Sequence, residues 1–332
     1  MTFQLKIVTH HLIFDGWSAD ILIKEMIHAY KAILNNQKIQ LPILPIQYKD
    51  YVNWSNSLLL NDNMERERSY WLNLFQDEIP VLNLQTDRPR PIQKTFNASQ
   101  IRYTIEAEIF DELTKINHEL GSTVFTILLA NVQVLLSKYT QDTKIVLGID
   151  VAGRNHQKIE HIIGMFVNTL ALPLSIEEND CFEDIVKRIQ GIVIEAYEHQ
   201  NYPFDQLVND LHIKRDHSRS PLFDVMVSLD NNLDQIASEN KFRINEYLIE
   251  NSKAHFDLVF IFAESSNGID GIISYNTDLF NKETIELMQL RFQALLKNML
   301  DSPDKKVKEI NFLTEIEKEK DIEYIVSVEF DF

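Results

Sequence analysis

Two adjacent histidines, His10 and His11, are followed after three residues by Asp15 and Gly16, in the pattern His-His-x-x-x-Asp-Gly. A histidine titrates near neutral pH and can take a proton from an attacking amine or hydroxyl, so the pattern suggests acyl transfer. An aspartate at this spacing can fix the loop or hold a buried arginine, and a glycine lets the backbone approach a ligand closely. The alternatives are a histidine pair that bonds only to its own loop, or a metal site. The spacing supplies no third ligand for a metal.

The elements that must position these residues follow from hydrophobic periodicity. Residues 3–9 alternate apolar and polar side chains, which predicts a half-buried strand before the histidines, and a helix is predicted to begin near Ser18. Further helices are predicted over 47–60, 64–76, 108–120, 122–139, 181–198 and 281–300. Further strands are predicted over 100–106, 145–149, 166–174, 222–229, 242–249, 256–263 and 270–276. This alternation indicates an α/β fold, and the proline-containing stretch 85–97 marks a boundary between two lobes.

Composition excludes several classes of function. The 332 residues include 32 Lys and Arg against 50 Asp and Glu, so the formal charge is −18, which argues against nucleic-acid binding. The single cysteine, Cys181, excludes a disulfide framework and a thiolate zinc site. No apolar run reaches the roughly 20 residues of a membrane span, and the start has no signal-peptide pattern. We therefore expect a cytoplasmic protein without a metal site and without membrane partners.

Four further segments have distinctive patterns, at 48–54 (Tyr-Lys-Asp-Tyr-Val-Asn-Trp), 163–171 (Ile-Gly-Met-Phe-Val-Asn-Thr-Leu-Ala), 199–205 (His-Gln-Asn-Tyr-Pro-Phe-Asp) and 215–222 (Arg-Asp-His-Ser-Arg-Ser-Pro-Leu). Each also has an explanation in packing alone: aromatic residues at helical spacing, a buried strand, a rigid turn and a cluster of ion pairs. Their order along the chain, together with Val-Ala-Gly-Arg at 151–154, is more informative than any one of them.

With the histidine segment at 9–18, these segments resemble five ordered motif blocks of the condensation domains of nonribosomal peptide synthetases, in the chloramphenicol-acetyltransferase-like superfamily. The resemblance implies two acetyltransferase-like α/β lobes with a tunnel between them. It implies that donor and acceptor carrier proteins present substrates on 4'-phosphopantetheine arms, in the biosynthesis of secondary metabolites. The acceptor amine then attacks the donor thioester to form an amide bond, and no cofactor is bound directly.

The same resemblance assigns roles to individual residues. His11 matches the catalytic histidine, which positions the amine or accepts its proton. Asp15 matches an aspartate that shapes the loop through an ion pair, and Gly16 is expected to offer its N–H near the developing oxyanion. The supporting positions of the active-site loop are His10, Trp17 and Ser18, and those expected to face the tunnel are Asn168 and Ser220.

Two blocks that precede the histidines in complete members, S-x-A-Q-x-R and R-H-E-x-L-R-T, do not occur in this sequence. We therefore expect an incomplete N-terminal lobe over 1–90, a C-terminal lobe over 91–310 and a linker-like tail over 311–332 that includes a strand pattern at 324–332. A separate chain could supply the missing half-lobe, including an arginine to pair with Asp15. Two alternative functions stay open: a non-catalytic carrier-binding or scaffold module, and an acyltransferase that uses a coenzyme A thioester.

Overall fold

The computed structural model of the chain describes residues 5–60, 64–177, 179–214, 216–230, 253–265, 268–314 and 316–319. Six strands of this part pair into a mixed sheet: β1 (Ala98–Glu106), β2 (Lys144–Val151), β3 (Asn168–Ser175), β4 (Val225–Leu229), β5 (Leu258–Ser265) and β6 (Gly268–Asn276). Their order across the sheet is β1-β6-β5-β4-β2-β3. Strands β2, β4 and β5 run parallel, and the other neighbouring pairs are antiparallel. The predicted α/β class is confirmed.

The helices of the described residues are α1 (Gly16–Leu34), α2 (Tyr48–Leu60), α3 (Glu65–Leu74), α4 (Ala107–Leu120), α5 (Val124–Thr140), α6 (Phe182–Glu198), α7 (Phe204–Asp210) and α8 (Lys282–Asp301). Short 3₁₀ turns lie at His11–Ile13, Gln157–Ile159 and Val307–Glu309. Helices α4, α5, α6 and α8 pack on one another and on the sheet. Helix α7 was not predicted, since only a rigid turn was expected over 199–205. The other helices coincide closely with the predicted ones, because their apolar faces repeat at helical spacing.

The burial along β5 shows which face of the sheet the helices cover. Leu258, Phe260 and Phe262 are fully buried, whereas the residues between them are only half-buried. The rings of Phe260 and Phe262 contact Phe292 of α8. Since alternate side chains of a strand point to opposite faces, one face of the sheet carries the main core and the other is more open.

Helix α5 is the centre of that core, and every residue from Phe125 to Leu136 in it is buried. Thr123 begins the helix by accepting a hydrogen bond from the Thr126 N–H. No single helix in the described ranges is long and apolar enough to cross a membrane. Only α4 and α5 taken together pass that test, and they are bent by 103° at the break between them. The burial of α5 explains its apolar composition by core packing.

The predicted strands differ from the structure in three places. The prediction for 3–9 is wrong over 5–9, which are exposed and form no strand. The described strands all pair within the one sheet, so no neighbour offers 5–9 the hydrogen bonds of a ladder. The strands predicted at 166–174 and 222–229 begin only at Asn168 and Val225. The strands predicted at 242–249 and 324–332 lie outside the described residues.

Side chains of α3 and α2 help to attach the segment before the sheet to the C-terminal part. Trp71 of α3 is 1% exposed and donates its indole N–H to the His199 carbonyl at 3.0 Å. Tyr48 and Tyr51 of α2 pack on Phe166 in a small cluster separate from the main core. The aromatic cluster places α2 beside Phe166, just before the start of β3. The division of the chain near residue 90 stays a prediction.

Two glycines provide a test of this packing. A Cβ added to Gly148 in β2 would overlap the Phe223 ring, whereas one added to Gly191, in the exposed middle of α6, would meet no neighbour. We expect Gly148→Ala to lower the free energy of unfolding by about 1–3 kcal/mol through overpacking. Gly191→Ala should raise it by about 0.5–1 kcal/mol through helix propensity. Urea unfolding of both variants measures this, and two shifts of the same sign would contradict the packing described.

Candidate active site

The imidazole of His11 is held by its own loop with one nitrogen left free. His10 begins the 3₁₀ turn, and its Nδ1 accepts the Leu12 N–H at 3.1 Å. His11 Nδ1 lies 2.7 Å from the Phe14 carbonyl oxygen. A carbonyl only accepts hydrogen bonds, so Nδ1 carries the proton and Nε2 carries the lone pair. Because His11 is exposed, Nε2 can accept a proton from a substrate.

Asp15 is buried at the start of α1 and accepts hydrogen bonds from three partners. Its carboxylate accepts the Ser18 N–H at 2.8 Å, which caps the helix, and the Phe166 N–H at 2.9 Å. Arg154 donates to both carboxylate oxygens, at 2.8 and 3.0 Å. Burial raises the pKa of Asp15, but the Arg154 guanidinium and the backbone N–H groups outweigh burial and hold that pKa below its usual value. Asp15 is therefore a fixed anion that shapes the loop.

The partner of Asp15 corrects the expectation that a separate chain supplies the arginine. Arg154 follows β2 in this same chain, and its side chain is 1% exposed while that of Asp15 is fully buried. The guanidinium also donates to Ser18 Oγ and to the Ile162 carbonyl, at 3.0 and 3.2 Å, and lies 4.3 Å from the centroid of the Phe166 ring. The sequence analysis identified the Val-Ala-Gly-Arg segment at 151–154 but did not predict that its arginine pairs with Asp15. This segment was the feature of the sequence from which the pairing could have been predicted.

Ser18 and Trp17 attach the start of α1 to the loop at 160–166. Ser18 Oγ donates to the Gly164 carbonyl at 2.9 Å and accepts the Gly164 N–H at 3.0 Å. The Trp17 indole donates to the Glu160 carbonyl at 2.9 Å. A side chain at Gly164 would overlap the Tyr48 ring, whose hydroxyl donates to the Met165 carbonyl. These residues support the loop by direct bonds rather than by facing a substrate.

Gly16 is the first residue of α1, where backbone N–H groups have no partner within the helix. A Cβ added to Gly16 would meet no atom within 4 Å. The glycine thus leaves open space at the N-terminal end of the helix, next to the histidine loop in sequence. An N–H in this position is free to donate to an anionic oxygen.

The structure places the two residues predicted to face a tunnel in separate surroundings. The Asn168 amide donates to the carbonyls of Gln200 and Tyr202, at 2.8 and 2.7 Å, and accepts the Phe204 N–H at 3.2 Å. Its hydrogen bonds join β3 to the start of α7. Ser220 Oγ instead donates to the His255 carbonyl at 3.2 Å. The hydrogen bonds of the Asn168 side chain thus all join it to backbone groups.

His255 is an exposed histidine that sequence reasoning did not single out. Burial of its ring, and then the charges of Lys94, Lys253 and His11, lower its pKa. The His255 carbonyl accepts hydrogen bonds from Ser220 Oγ and from the Lys94 ammonium.

A cavity of about 650 Å³ lies next to the buried ion pair, and Arg154 lines it. Its walls come from the start of α5, the end of β2 and the second half of α6, and include Asp150, Arg154 and Tyr197. His11 does not line it. The acyl-transfer chemistry is better supported at the exposed imidazole than in this cavity, since the cavity holds no group with a free basic nitrogen.

The comparisons with known proteins agree on one family. A family model described as Condensation domain matches residues 2–321. Gramicidin S synthase 2 of Brevibacillus brevis is 39% identical over 310 residues, which are 93% of this chain and 7% of that protein. Surfactin synthase subunit 1 of Bacillus subtilis (strain 168) is 37% identical over 314 residues, 95% of this chain and 9% of that protein. The chain thus spans less than a tenth of these curated relatives.

Solved structures share the fold. The four-domain nonribosomal peptide synthetase holo-AB3403, bound to AMP and glycine, has a TM-score of 0.82 at 22% identity, over 93% of this chain and 24% of that one. The X-domain from teicoplanin biosynthesis has a TM-score of 0.76 at 21% identity, over 91% of this chain and 70% of that one. The predicted chloramphenicol-acetyltransferase-like fold class is confirmed by neighbours of this kind.

The buried ion pair predicts a pH-dependent loss of stability. Asp15→Asn leaves Arg154 as an uncompensated buried charge, so we expect the free energy of unfolding to fall by about 3–5 kcal/mol at pH 7. The pKa of Asp15 is lower in the folded state, so its contribution is present above the unfolded pKa of about 4 and is lost as the pH falls below that value. The difference in the free energy of unfolding between wild type and Asp15→Asn should therefore become smaller as the pH is lowered from 7 to 3.

Urea unfolding at several pH values measures this difference. Asp111→Asn, at an exposed position of α4, is the matched control and should change stability by less than about 0.5 kcal/mol. A difference for Asp15→Asn that stays constant over the whole pH range would contradict the role of its charge.

Proposed function

The chain belongs to the condensation-domain family, and on this basis we propose that it forms an amide bond between an acyl thioester and an amine. The observation that carries the proposal is the tautomer of His11, whose Nδ1–H bonds to the Phe14 carbonyl and whose exposed Nε2 keeps its lone pair. This nitrogen can orient an attacking amine or accept its proton. Asp15 keeps the loop in place and takes no part in the proton transfer.

The reaction balances with the groups of this site. The amine nitrogen attacks the thioester carbonyl carbon, and the carbonyl oxygen becomes an oxyanion that the N–H of Gly16 would stabilise. The C–S bond then breaks and the thiolate leaves. The proton taken from the amine by His11 Nε2 passes to the thiolate, which restores the imidazole and releases a free thiol.

We propose donor and acceptor carrier proteins as partners, with both substrates on 4'-phosphopantetheine arms. Family membership supports this, and so does the occurrence of the same domain in long multidomain synthases. The formal charge of −18 disfavours long-range attraction to an acidic carrier. Docking would then depend on local apolar and basic patches.

We further propose that a segment from a condensation domain, in the same chain or in a separate one, covers apolar side chains near the N-terminus. These side chains are Leu5, Val8, Leu12, Ile33 and Leu34. Each of these side chains is at least 63% exposed; Leu5, Val8 and Leu12 precede α1, and Ile33 and Leu34 lie at its C-terminal end. The X-domain chain, of which this chain covers 70%, contains further residues that could provide the cover. The covering segment would complete the lobe assigned to 1–90, beside a lobe over 91–310 and a tail over 311–332.

Hydrogen exchange tests the proposed cover. A segment that carries the S-x-A-Q-x-R and R-H-E-x-L-R-T blocks, added in the same chain or as a separate one, should slow the exchange of amides at 5–13. The segment alone and this chain alone are the controls. If the added segment is folded and the exchange of these amides does not change, the proposal is contradicted. If raising the concentration of this chain alone slows their exchange, the cover is a second copy of the chain.

An assay with two loaded carrier proteins tests the activity. We expect amide product with wild type and at least about 100-fold less with His11→Gln, because the general acid–base contribution is lost. His118→Gln, an exposed histidine at the end of α4, is the matched control and should leave the rate unchanged.

The other outcomes of this assay separate the alternatives. Turnover of a coenzyme A thioester without any carrier would favour a free-standing acyltransferase. Absence of product under every condition, including with the covering segment, would leave a non-catalytic carrier-binding or scaffold module.

A further inference from the structure

The cavity of about 650 Å³ lies where two parallel strands of the sheet end. Asp150 and Val151, at the end of β2, line it, and so does Leu229, the last residue of β4. Strands β2 and β4 are parallel neighbours, and in open α/β sheets ligands bind beyond the carboxyl ends of such strands. None of the described residues of the histidine loop lines the cavity, so a ligand there would not contact His11.

The walls of the cavity are largely apolar and remain partly open to solvent. Ile194 and Tyr197 of α6 are 52% and 39% exposed, and Leu229 is 45% exposed. Phe125 and Val193, which also line the cavity, are buried. Large apolar side chains that stay exposed around one cavity of this volume are typical of a site for a small organic molecule.

The charged residues that line the cavity, among those the structure describes, are Asp150 and Arg154. The charge of Arg154 is already matched, because its guanidinium donates to both carboxylate oxygens of Asp15. Asp150 is half-buried and forms no ion pair with any described residue. Burial raises its pKa, and a hydrogen bond with Ser228 opposes that rise only in part. The wall therefore carries one carboxylate that lacks a cation.

The neutral polar side chains of the wall are engaged within the protein. Thr123 Oγ1 accepts the Thr126 N–H and so caps the start of α5, and the Gln190 amide donates to the Gly121 carbonyl. An anion in the cavity would be repelled by Asp150, whereas a cation would be attracted to it. Charge complementarity together with the apolar walls therefore favours a ligand that has one positive group and an apolar body.

We propose that this cavity binds a small organic amine, with its ammonium group on the Asp150 carboxylate and its apolar body against Phe125, Ile194 and Leu229. The ammonium would supply the counter-ion that Asp150 lacks, through a charge-assisted hydrogen bond that partial burial strengthens. The apolar body would cover side chains of the wall that are otherwise exposed to water. The site is separate from the acyl-transfer chemistry proposed above and does not depend on it.

Two probes of the same shape separate the charge from the apolar contact. They are 4-phenylbutylamine, which is an ammonium at pH 7, and 4-phenylbutan-1-ol, which is neutral. Isothermal titration calorimetry on the whole chain, at about 0.15 M salt to screen long-range attraction, should show tighter binding of the amine. In Asp150→Asn the affinity for the amine should fall about 10- to 100-fold, the range of a charge-assisted hydrogen bond, and the affinity for the alcohol should stay the same.

Two further variants locate the site and control for charge. Ile194→Ala shortens a partly exposed side chain of the wall, so it should weaken the binding of both probes by a similar factor. Asp111→Asn removes a carboxylate at an exposed position of α4, outside the cavity, and should change neither affinity. Thermal unfolding verifies that each variant is folded. If Asp150→Asn does not fold, the wild-type preference for the amine and the effect of Ile194→Ala decide.

Three results would overturn the proposal. Equal affinity of the wild type for the two probes, or no binding of either, would exclude recognition of an ammonium. Equal weakening of amine binding in Asp150→Asn and Asp111→Asn would show only a general attraction to a chain of formal charge −18. Unchanged binding of both probes in Ile194→Ala would place them elsewhere on the molecule.

Discussion

The buried ion pair between Asp15 and Arg154 is the interaction on which the arrangement of the site depends. Its two side chains are almost fully buried, so removing either one leaves a charge without compensation, at a cost of about 3–5 kcal/mol. The pair is tolerated because nearly every donor and acceptor has a partner: Asp15 also accepts the N–H groups of Ser18 and Phe166, and Arg154 also donates to Ser18 and Ile162. The start of α1 is thereby fixed to the end of β2.

This fixed anion allows a division of roles within one short motif. Asp15 is held ionised and buried, and cannot exchange protons with a substrate. His11, four residues earlier, is exposed, and the Phe14 carbonyl selects its tautomer. Gly16, the first residue of α1, leaves open space where a Cβ would lie. Position and chemistry are thus assigned to different side chains: buried Asp15 fixes the start of α1, and the exposed imidazole of His11 is the group that we propose as the base.

The two parts of the chain are packed by different means. The C-terminal part buries a sheet and four helices around α5, and its stability comes mainly from apolar burial. The N-terminal helices α1 and α2 are attached by the ion pair, by hydrogen bonds between their side chains and backbone groups of the loop at 160–166, and by a small aromatic cluster. Other apolar side chains of this part remain exposed.

Much of the fold and part of the site could be predicted from the sequence. Periodicity located α5, α6 and most strands, because burial of one face is encoded by neighbouring residues. The ordered motifs identified the family and led to His11, Asp15 and Gly16. Only the tertiary structure decided which groups meet: Arg154 lies 139 residues from Asp15. The strand expected at 5–9 did not form, since a strand needs a neighbour that local pattern cannot guarantee.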